Sequence, residues 1–307
     1  MATAGVRAMA MRAATASAMP RVATRGFATE KQIAMRIVST NNLKKITSSM
    51  KMVSSAKMQA DVKRLEAVKP FNEFAKTLCG PPVLCEDLDV SEWPEKNLVV
   101  AVSSDKGLCG GVNSFVARNM KKINAKLAAD GKSMKVVVWG EKGRSQLRRV
   151  CGDDIISAAT DAEYPATFAS VGCLASEVAE LAPEFDQVHI IYNHFVSAVS
   201  YETSMQSLIS LNGEGDAEPM MTYEFEPDTK SEILTDLGEF MIASQLYYSV
   251  LDGATSEQSS RTAAMENASK NAGELVEALT LQYNKARQTR ITTELIEIIS
   301  GASALED

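Results

Sequence analysis

Residues 233–300 read ILTDLGEFMIASQLYYSVLDGATSEQSSRTAAMENASKNAGELVEALTLQYNKARQTRITTELIEIIS. From Asp228 to Ser300 there is no proline, and only Gly238, Gly253 and Gly273 interrupt the run. A seam stepping by threes and fours passes through Ile233, Leu237, Phe240, Ser244, Tyr247, Leu251, Ala254, Gln258, Arg261 and Met265. It continues through Ala268, Ala272, Leu275, Leu279, Gln282, Ala286, Thr289, Thr293 and Ile296. This is helical periodicity of a heptad kind. Its small members permit close helix approach, whereas Gln258, Arg261 and Gln282 make it a poor generic leucine zipper. At about 1.5 Å per residue such a helix would extend roughly 110 Å, so a partner must cover much of it.

The other end of the chain mirrors this pattern. From Glu30 to Lys69 there is no glycine or proline, and Ile33, Ile37, Leu43, Ile46, Met50, Val53, Ala56 and Ala60 recur at helical spacing. Pro70 predicts the end of that helix or a kink. Basic residues dominate it, at 31, 36, 44, 45, 51, 57, 63, 64 and 69, against Glu30, Asp61 and Glu66. Between the two helices, residues 80–96 form a proline-containing acidic connector. Asn97–Ser103, Lys135–Trp139 and Gln187–Ser197 then read as strands, and 112–129, Gly143–Val150 and Thr167–Leu181 as helices. Short apolar runs alternating with helices predict a small α/β layer with a largely parallel sheet. Residues 212–228 read as a polar loop.

Residues 1–28 are a different material. They carry Arg7, Arg12, Arg21 and Arg25, no acidic residue and much alanine and serine, the composition of an organelle transit peptide. A mitochondrial address fits the arginines; a chloroplast address and a disordered tail are the alternatives. With 45% hydrophobic and 23% charged residues the chain falls in the range of soluble globular proteins, and no apolar run approaches the roughly 18 residues a membrane span needs. A net charge of −7 argues against a nucleic-acid-coating surface. Five cysteines without a CxxC pair fit a reducing compartment.

Chemistry is sparse. SSDKGLCGGVN at 103–113 lies between a strand and a helix, where nucleotide-binding folds place phosphate loops, but it matches neither GxxxxGK[ST] nor GxGxxG. Asp105 would repel a bound phosphate, so a structural turn is the favoured reading. His189 and His194 are five apart in a strand and face opposite sides, which disfavours a shared metal. Asn267-Ala-Ser269 is a glycosylation sequon in the middle of a helix, and Glu294 and Glu297 read as a solvated face. No segment assembles nucleophile, base and oxyanion donors.

ITTELIEIISGASA at 291–304, preceded by SSRTAAMENASKNAGELVEALTLQYNKARQTR at 259–290, together with LKKITSSMKMVSSAKMQ at 43–59 and SSDKGLCGGVN, resembles the gamma-subunit family of F-type ATP synthases. The resemblance implies an α/β class fold: a long antiparallel, left-handed coiled coil of the N- and C-terminal helices plus a small Rossmann-like α/β domain. The implied segments are a mitochondrial transit peptide at 1–28, a coiled-coil helix at 29–77, an α/β foot domain at 78–228 and a C-terminal coiled-coil helix at 229–307. It implies a non-catalytic central rotor shaft inside a ring of alpha and beta subunits, coupling proton-driven rotation to ATP synthesis on beta, or the reverse. The implied partners at the foot are an epsilon- or delta-type subunit and the proton-driven membrane ring; no cofactor, metal, nucleic acid or membrane span of its own is implied. The implied location is the matrix side of the mitochondrial inner membrane. The leader and the absence of a cysteine-pair insertion weigh against the chloroplast.

Residue by residue, Met50 and Lys51 match the turn the family places beside the acidic lever loop of the catalytic subunits. Arg287 and Gln288 match residues that bond the catch loop of one beta subunit, and Arg261, Thr292 and Glu294 match positions linked to coupling. The plainer reading is that Met50, Thr292 and Glu294 hold the coiled coil together. The basic face of the first helix offers itself to acidic beta loops or to solvent alone. Thr262, Arg290 and Lys106 depart from the family pattern. The competing readings are a nucleotide-dependent α/β enzyme with an oligomerisation arm and a passive coiled-coil scaffold.

Overall fold

The computed structural model describes residues 29–208 and 230–306, so the expected leader and the loop at 212–228 lie outside the described residues. The described residues divide into two compact units, those up to Ile37 with those from Leu279 on, and those within Val38–Ala278. Two helices contribute to both units: α1, Glu30–Cys79, and α5, Lys230–Glu306. Helix α1 does not stop at Pro70 but runs through it to Cys79. Proline removes the N–H that would bond the carbonyl of Glu66. Glu66 and Pro70 are both exposed, so water can take that bond and the helix tolerates the loss.

In the unit Val38–Ala278 the strands are β1 (Val83–Leu84), β2 (Lys96–Val102), β3 (Ser133–Trp139), β4 (Ile155–Ala159), β5 (Gln187–Phe195) and β6 (Tyr201–Leu208). The remaining helices are α2 (Val112–Ala129), α3 (Glu141–Cys151) and α4 (Phe168–Leu181). The sheet order is β1-β6-β5-β2-β3-β4. Strands β2 to β5 are parallel; β6 and β1 are added antiparallel. Two cores lie on the two faces. Val99 and Ala101 of β2 pack with Val116, Met120 and Ile123 of α2 and Leu147 of α3. Their neighbours Leu98, Val100 and Val102 pack with Val171, Leu174 and Val178 of α4 and with Leu246 and Val250 of α5. Cover on both faces is the reason β2 reads as an unbroken apolar run. At α4 the Thr167 hydroxyl accepts from the Ser170 amide while the Ser170 hydroxyl accepts from that of Thr167, a reciprocal cap.

Within this unit α1 and α5 pair antiparallel. Lys44 meets Gly273, Lys51 meets Glu266 and Asn72 meets Gln245, so one number rises as the other falls by equal steps. Those steps are multiples of seven, the heptad repeat. The seam of α1 is not the aliphatic stripe expected from the sequence. Thr40, Ser54, Asp61, Leu65, Asn72 and Ala75 are buried, whereas Leu43, Ile46 and Val53 point outward, each more than half exposed. Small polar side chains let the two backbones approach; many satisfy themselves, as Thr47 does on the Leu43 carbonyl and Thr255 on that of Leu251. Tyr248 and Leu251 meet Leu65 at the centre of the pairing.

His189 is fully buried in β5 and stacked on Trp93, with ring centroids 3.8 Å apart. The Asn97 amide nitrogen donates to the Pro94 carbonyl, which turns the Asn97 carbonyl oxygen towards His189 Nε2 at 3.3 Å. Nε2 therefore carries the proton, and Nδ1 accepts from the Ser207 hydroxyl at 2.9 Å. Burial pushes the imidazole pKa down to about 3 from 6.5. The folded state thus refuses a proton that the unfolded chain accepts below 6.5, and stability falls as pH drops from 6.5 towards 3. His189→Gln should remove up to about 1.4 kcal/mol per pH unit of slope in that window, measured by denaturant unfolding. An unchanged slope would contradict the assignment.

Candidate functional site

The residues singled out on the N-terminal helix lie on the coiled coil of the larger unit. Met50 is half-buried beside the seam, and Lys51 Nζ reaches Glu266 Oε1 of α5 at 2.7 Å. Both partners of that pair are substantially exposed, so it contributes little to stability and can be exchanged for another carboxylate. The basic face of α1 is partly committed inward as well. Lys57 sits over the Tyr164 ring at 4.3 Å, and Arg64 pairs with Asp61 at 2.6 Å. Asp61 also accepts from the Tyr164 hydroxyl at 2.8 Å. Burial raises the Asp61 pKa, with the bonds from Tyr164 and Arg64 pulling it back. Lys31, Arg36, Lys44, Lys45, Lys63 and Lys69 remain exposed.

Arg261 is the singled-out residue that lies inside. Its side chain is nearly closed from solvent, with Nη2 paired to Glu257 and Nη1 donating to Gln258 Oε1 at 3.0 Å. Nη2 also donates to the Gly107 carbonyl in the loop after β2, at 3.3 Å. Burial raises the Glu257 carboxyl pKa, and the Arg261 guanidinium opposes that rise. Arg261 thus makes its bonds within the chain, one of them to the loop after β2.

The carboxylate of that loop is committed to neighbouring backbone. The Asp105 carboxylate accepts from the amides of Glu141 at 2.9 Å, Asp161 at 3.2 Å and Ala162 at 3.2 Å. Glu141 is the first residue of α3, so the chain's own carboxylate occupies a helix N-terminus where an anion would bind. The adjoining cleft, about 220 Å³, is lined by Lys57, Lys106 and Arg261 but also by Asp105, Glu163 and Glu257. The histidines divide as the sequence predicts: His189 is in the core, and His194 Nδ1 pairs with the buried Asp252 at 2.6 Å. Among the described residues no group of three or more His, Cys, Asp or Glu side chains converges to hold a metal, and no helix is long and apolar enough to cross a membrane.

The other singled-out residues lie in the unit formed by the start of α1 and the end of α5. Thr29 caps α1: its carbonyl accepts from Ile33 and its amide donates to Gln32 Oε1. Arg287, Gln288, Thr292 and Glu294 are all exposed. The Thr292 hydroxyl turns back on the Gln288 backbone carbonyl at 2.9 Å, and Gln288 itself is exposed. Arg290, a departure from the family pattern, joins Glu30 at 2.7 Å and Glu294 at 3.3 Å. The approach to Glu30 is an ion pair without hydrogen-bond alignment. Ile291, Leu295, Ile296, Ile298 and Ile299 are exposed on the same helical segment, Ile298 at 68%.

A chain that leaves so many aliphatic side chains of two long helices in water is built to be surrounded. The fold and its contacts therefore define a subunit of a larger assembly. A family model described as ATP synthase matches residues 29–305. The mitochondrial ATP synthase subunit gamma of Drosophila melanogaster is 41% identical over 287 residues, covering 92% of each chain. A central-stalk chain in a solved structure of the Tetrahymena thermophila mitochondrial ATP synthase is 33% identical with a TM-score of 0.60, covering 73% of this chain and 99% of its own. A chain of the Euglena gracilis mitochondrial ATP synthase shares the fold at a TM-score of 0.74 and 22% identity, covering 90% of this chain and 94% of its own. The chain belongs to the ATP synthase gamma-subunit family, in its mitochondrial form. It is a subunit of the synthase complex.

Sequence reasoning missed Asp61, Tyr164, Glu257 and Asp252. Asp61 had a signal: it is a lone acid between Lys57 and Arg64 on a basic helix, at spacings that place all three together. Arg261→Met should cost about 3–5 kcal/mol, because Glu257 is then left buried and unpaired. The double variant with Glu257→Gln should recover most of that loss in thermal unfolding; equal destabilisation by both would refute the pairing.

Proposed function

We propose that this chain is the central rotor shaft of a mitochondrial F-type ATP synthase, non-catalytic itself and working on the matrix side of the inner membrane. One observation carries the reading. The paired helices bury small polar residues between them and turn Val38, Leu43, Ile46, Met52 and Val53 outward, Met52 at 73% exposure. A passive coiled coil would bury its aliphatics in the seam. Outward aliphatics with a scatter of lysines suit a surface that meets a succession of partner faces, since non-directional apolar contacts and exchangeable ion pairs are cheap to break and remake.

In this reading the ring of alpha and beta subunits surrounds the helices. Met50 and Lys51 face the acidic lever loops in turn. The Lys51–Glu266 pair, exposed and weak, opens when a beta carboxylate takes the lysine. Arg287 and Gln288 present unencumbered donors to the catch loop of one beta subunit, and Thr292 and Glu294 support them, Thr292 through the Gln288 carbonyl and Glu294 through Arg290. Arg261 contributes from inside by fixing the loop 104–111. An epsilon- or delta-type subunit and the proton-driven membrane ring engage the α/β foot. The nucleotide chemistry resides on beta, in keeping with the Asp105 carboxylate fixed in the loop after β2, where it would repel a phosphate. Removal of residues 1–28 on import belongs to the same proposal, with the chain organised as helix 29–77, foot 78–228 and helix 229–307.

Three measurements test this. The chain should copurify at one copy with a six-membered ATPase ring. In that complex, Gln288→Leu and Met50→Lys should each lower ATP-driven proton pumping several-fold relative to ATP hydrolysed. Unchanged pumping in both variants would remove these residues from the coupling path, and nucleotide turnover by the isolated chain would sink the non-catalytic reading.

A further inference from the structure

A rotor that drives catalysis at one end and is driven at the other must pass torque between its coiled coil and its α/β layer. Torque across that junction is shear, which non-directional apolar packing resists poorly and directional hydrogen bonds resist better. Three turns of α5 carry such bonds. Asp252 Oδ1 accepts from the Phe195 amide at 2.7 Å, and its other oxygen pairs with His194. The Ser256 hydroxyl donates to the Asn193 carbonyl at 2.9 Å, that of Ser259 to Ala198 at 2.8 Å and that of Ser260 to Cys109 at 2.7 Å. The positions 252, 256, 259 and 260 share one helix face. Their partners are the carboxyl end of β5 with its following turn, and the loop after β2.

Other hydroxyls on the same helix behave differently. Ser244, Thr255 and Thr262 bond carbonyls of their own helix, the ordinary solution for a buried hydroxyl. Ser256, Ser259 and Ser260 instead reach across to another element. The far side is prepared for them. Gly110 has a φ of +62°, and a Cβ there would lie 2.7 Å from Ser260 Oγ, so only glycine lets the loop close on that hydroxyl. Asn193 is tied in turn, accepting from Thr203 of β6 at 2.8 Å and donating to the Val112 carbonyl at the start of α2. A load on Ser256 therefore spreads into β6 and α2. Asp252 and Ser256 are fully buried, which shields their bonds from competition with water.

We propose that Asp252, Ser256, Ser259 and Ser260 form a polar key that locks the α/β layer to the rotor helix against rotation, positioning residues for torque transfer through the two strand-end loops they hold. The inference rests on the rotor reading. Its test uses the assembled synthase, with other reactive thiols replaced and a viscous bead tethered through the exposed Cys173 of α4, so that the bead reports on the layer. The triple variant Ser256→Ala/Ser259→Ala/Ser260→Ala should hydrolyse ATP at the wild-type rate without load. Under load its bead should slip, with slipping raised about fivefold for each bond removed, the Boltzmann weight of one net hydrogen bond. A role in folding alone would not separate loaded from unloaded behaviour. If the triple variant fails to assemble, Ser260→Ala removes a single bond and carries the same comparison. A wild-type bead that turns, with a variant that turns equally well under load, overturns the key and leaves the rotor reading standing. A wild-type bead that never turns during hydrolysis overturns both.

Discussion

A buried polar group must find a partner, and the segment of α5 from Ser244 to Arg261 is where that rule organises the larger unit. In these turns Ser244, Gln245, Asp252, Thr255, Ser256, Gln258, Ser259 and Arg261 are all buried. An aliphatic helix would dock on the sheet with wide latitude. Ser244 and Thr255 bond carbonyls of this helix itself and the Ser249 hydroxyl has no hydrogen-bond partner among the described residues, but most of the other buried polar groups are delivered to a particular acceptor or donor on α1, on the end of β5 or on the loop after β2. The position of the sheet against the helix pair follows from that demand, as does the antiparallel register of α1, where Asn72 meets Gln245.

The same demand explains why the surface is apolar where a seam was expected. With small hydroxyl-bearing residues between the helices, the bulky aliphatics have nowhere to go but outward. In isolation that is unfavourable, since each exposed leucine or isoleucine forgoes about 1.5–3 kcal/mol of burial. The arrangement makes sense when a second protein supplies the cover, as fits a subunit of the synthase complex. Stability inside the chain and contact outside it thus draw on opposite faces of the same two helices.

Much of this was legible in the residues. The apolar runs at 98–102 and 135–139 are strands because both sheet faces are covered, and α2 spans 112–129 as the pattern predicts. Strand β4, Ile155-Ile-Ser-Ala-Ala159, escaped notice because it sits at the sheet edge with little burial, and β6 because Glu202, Thr203 and Gln206 break the apolar signal. Pro70 does not end α1 because the rule against proline in a helix rests largely on an unpaired carbonyl, which an exposed turn can hand to water. The α1 seam was misread for a deeper reason: periodicity locates the aliphatic stripe, not what it faces. Residues at 287–294 were identifiable only through resemblance, since exposed polar residues on a helix carry no local signature of a partner. Asp61–Tyr164 and Asp252–His194 join residues remote in the chain, and no spacing rule reaches that far.

The carboxylate of Asp105 has a consequence for the surroundings in which such a chain works. Its three amide bonds fix a negative charge in the loop after β2, beside the place where an α/β layer of this build would ordinarily welcome a phosphate. A machine that handles nucleotide at several sites gains from a moving part that is indifferent to it. A shaft that bound ATP would change its own shape with the very concentration it helps to set, and its motion would report on supply instead of on force. By carrying its own anion, the layer sets a charge against the cargo of the motor it turns in.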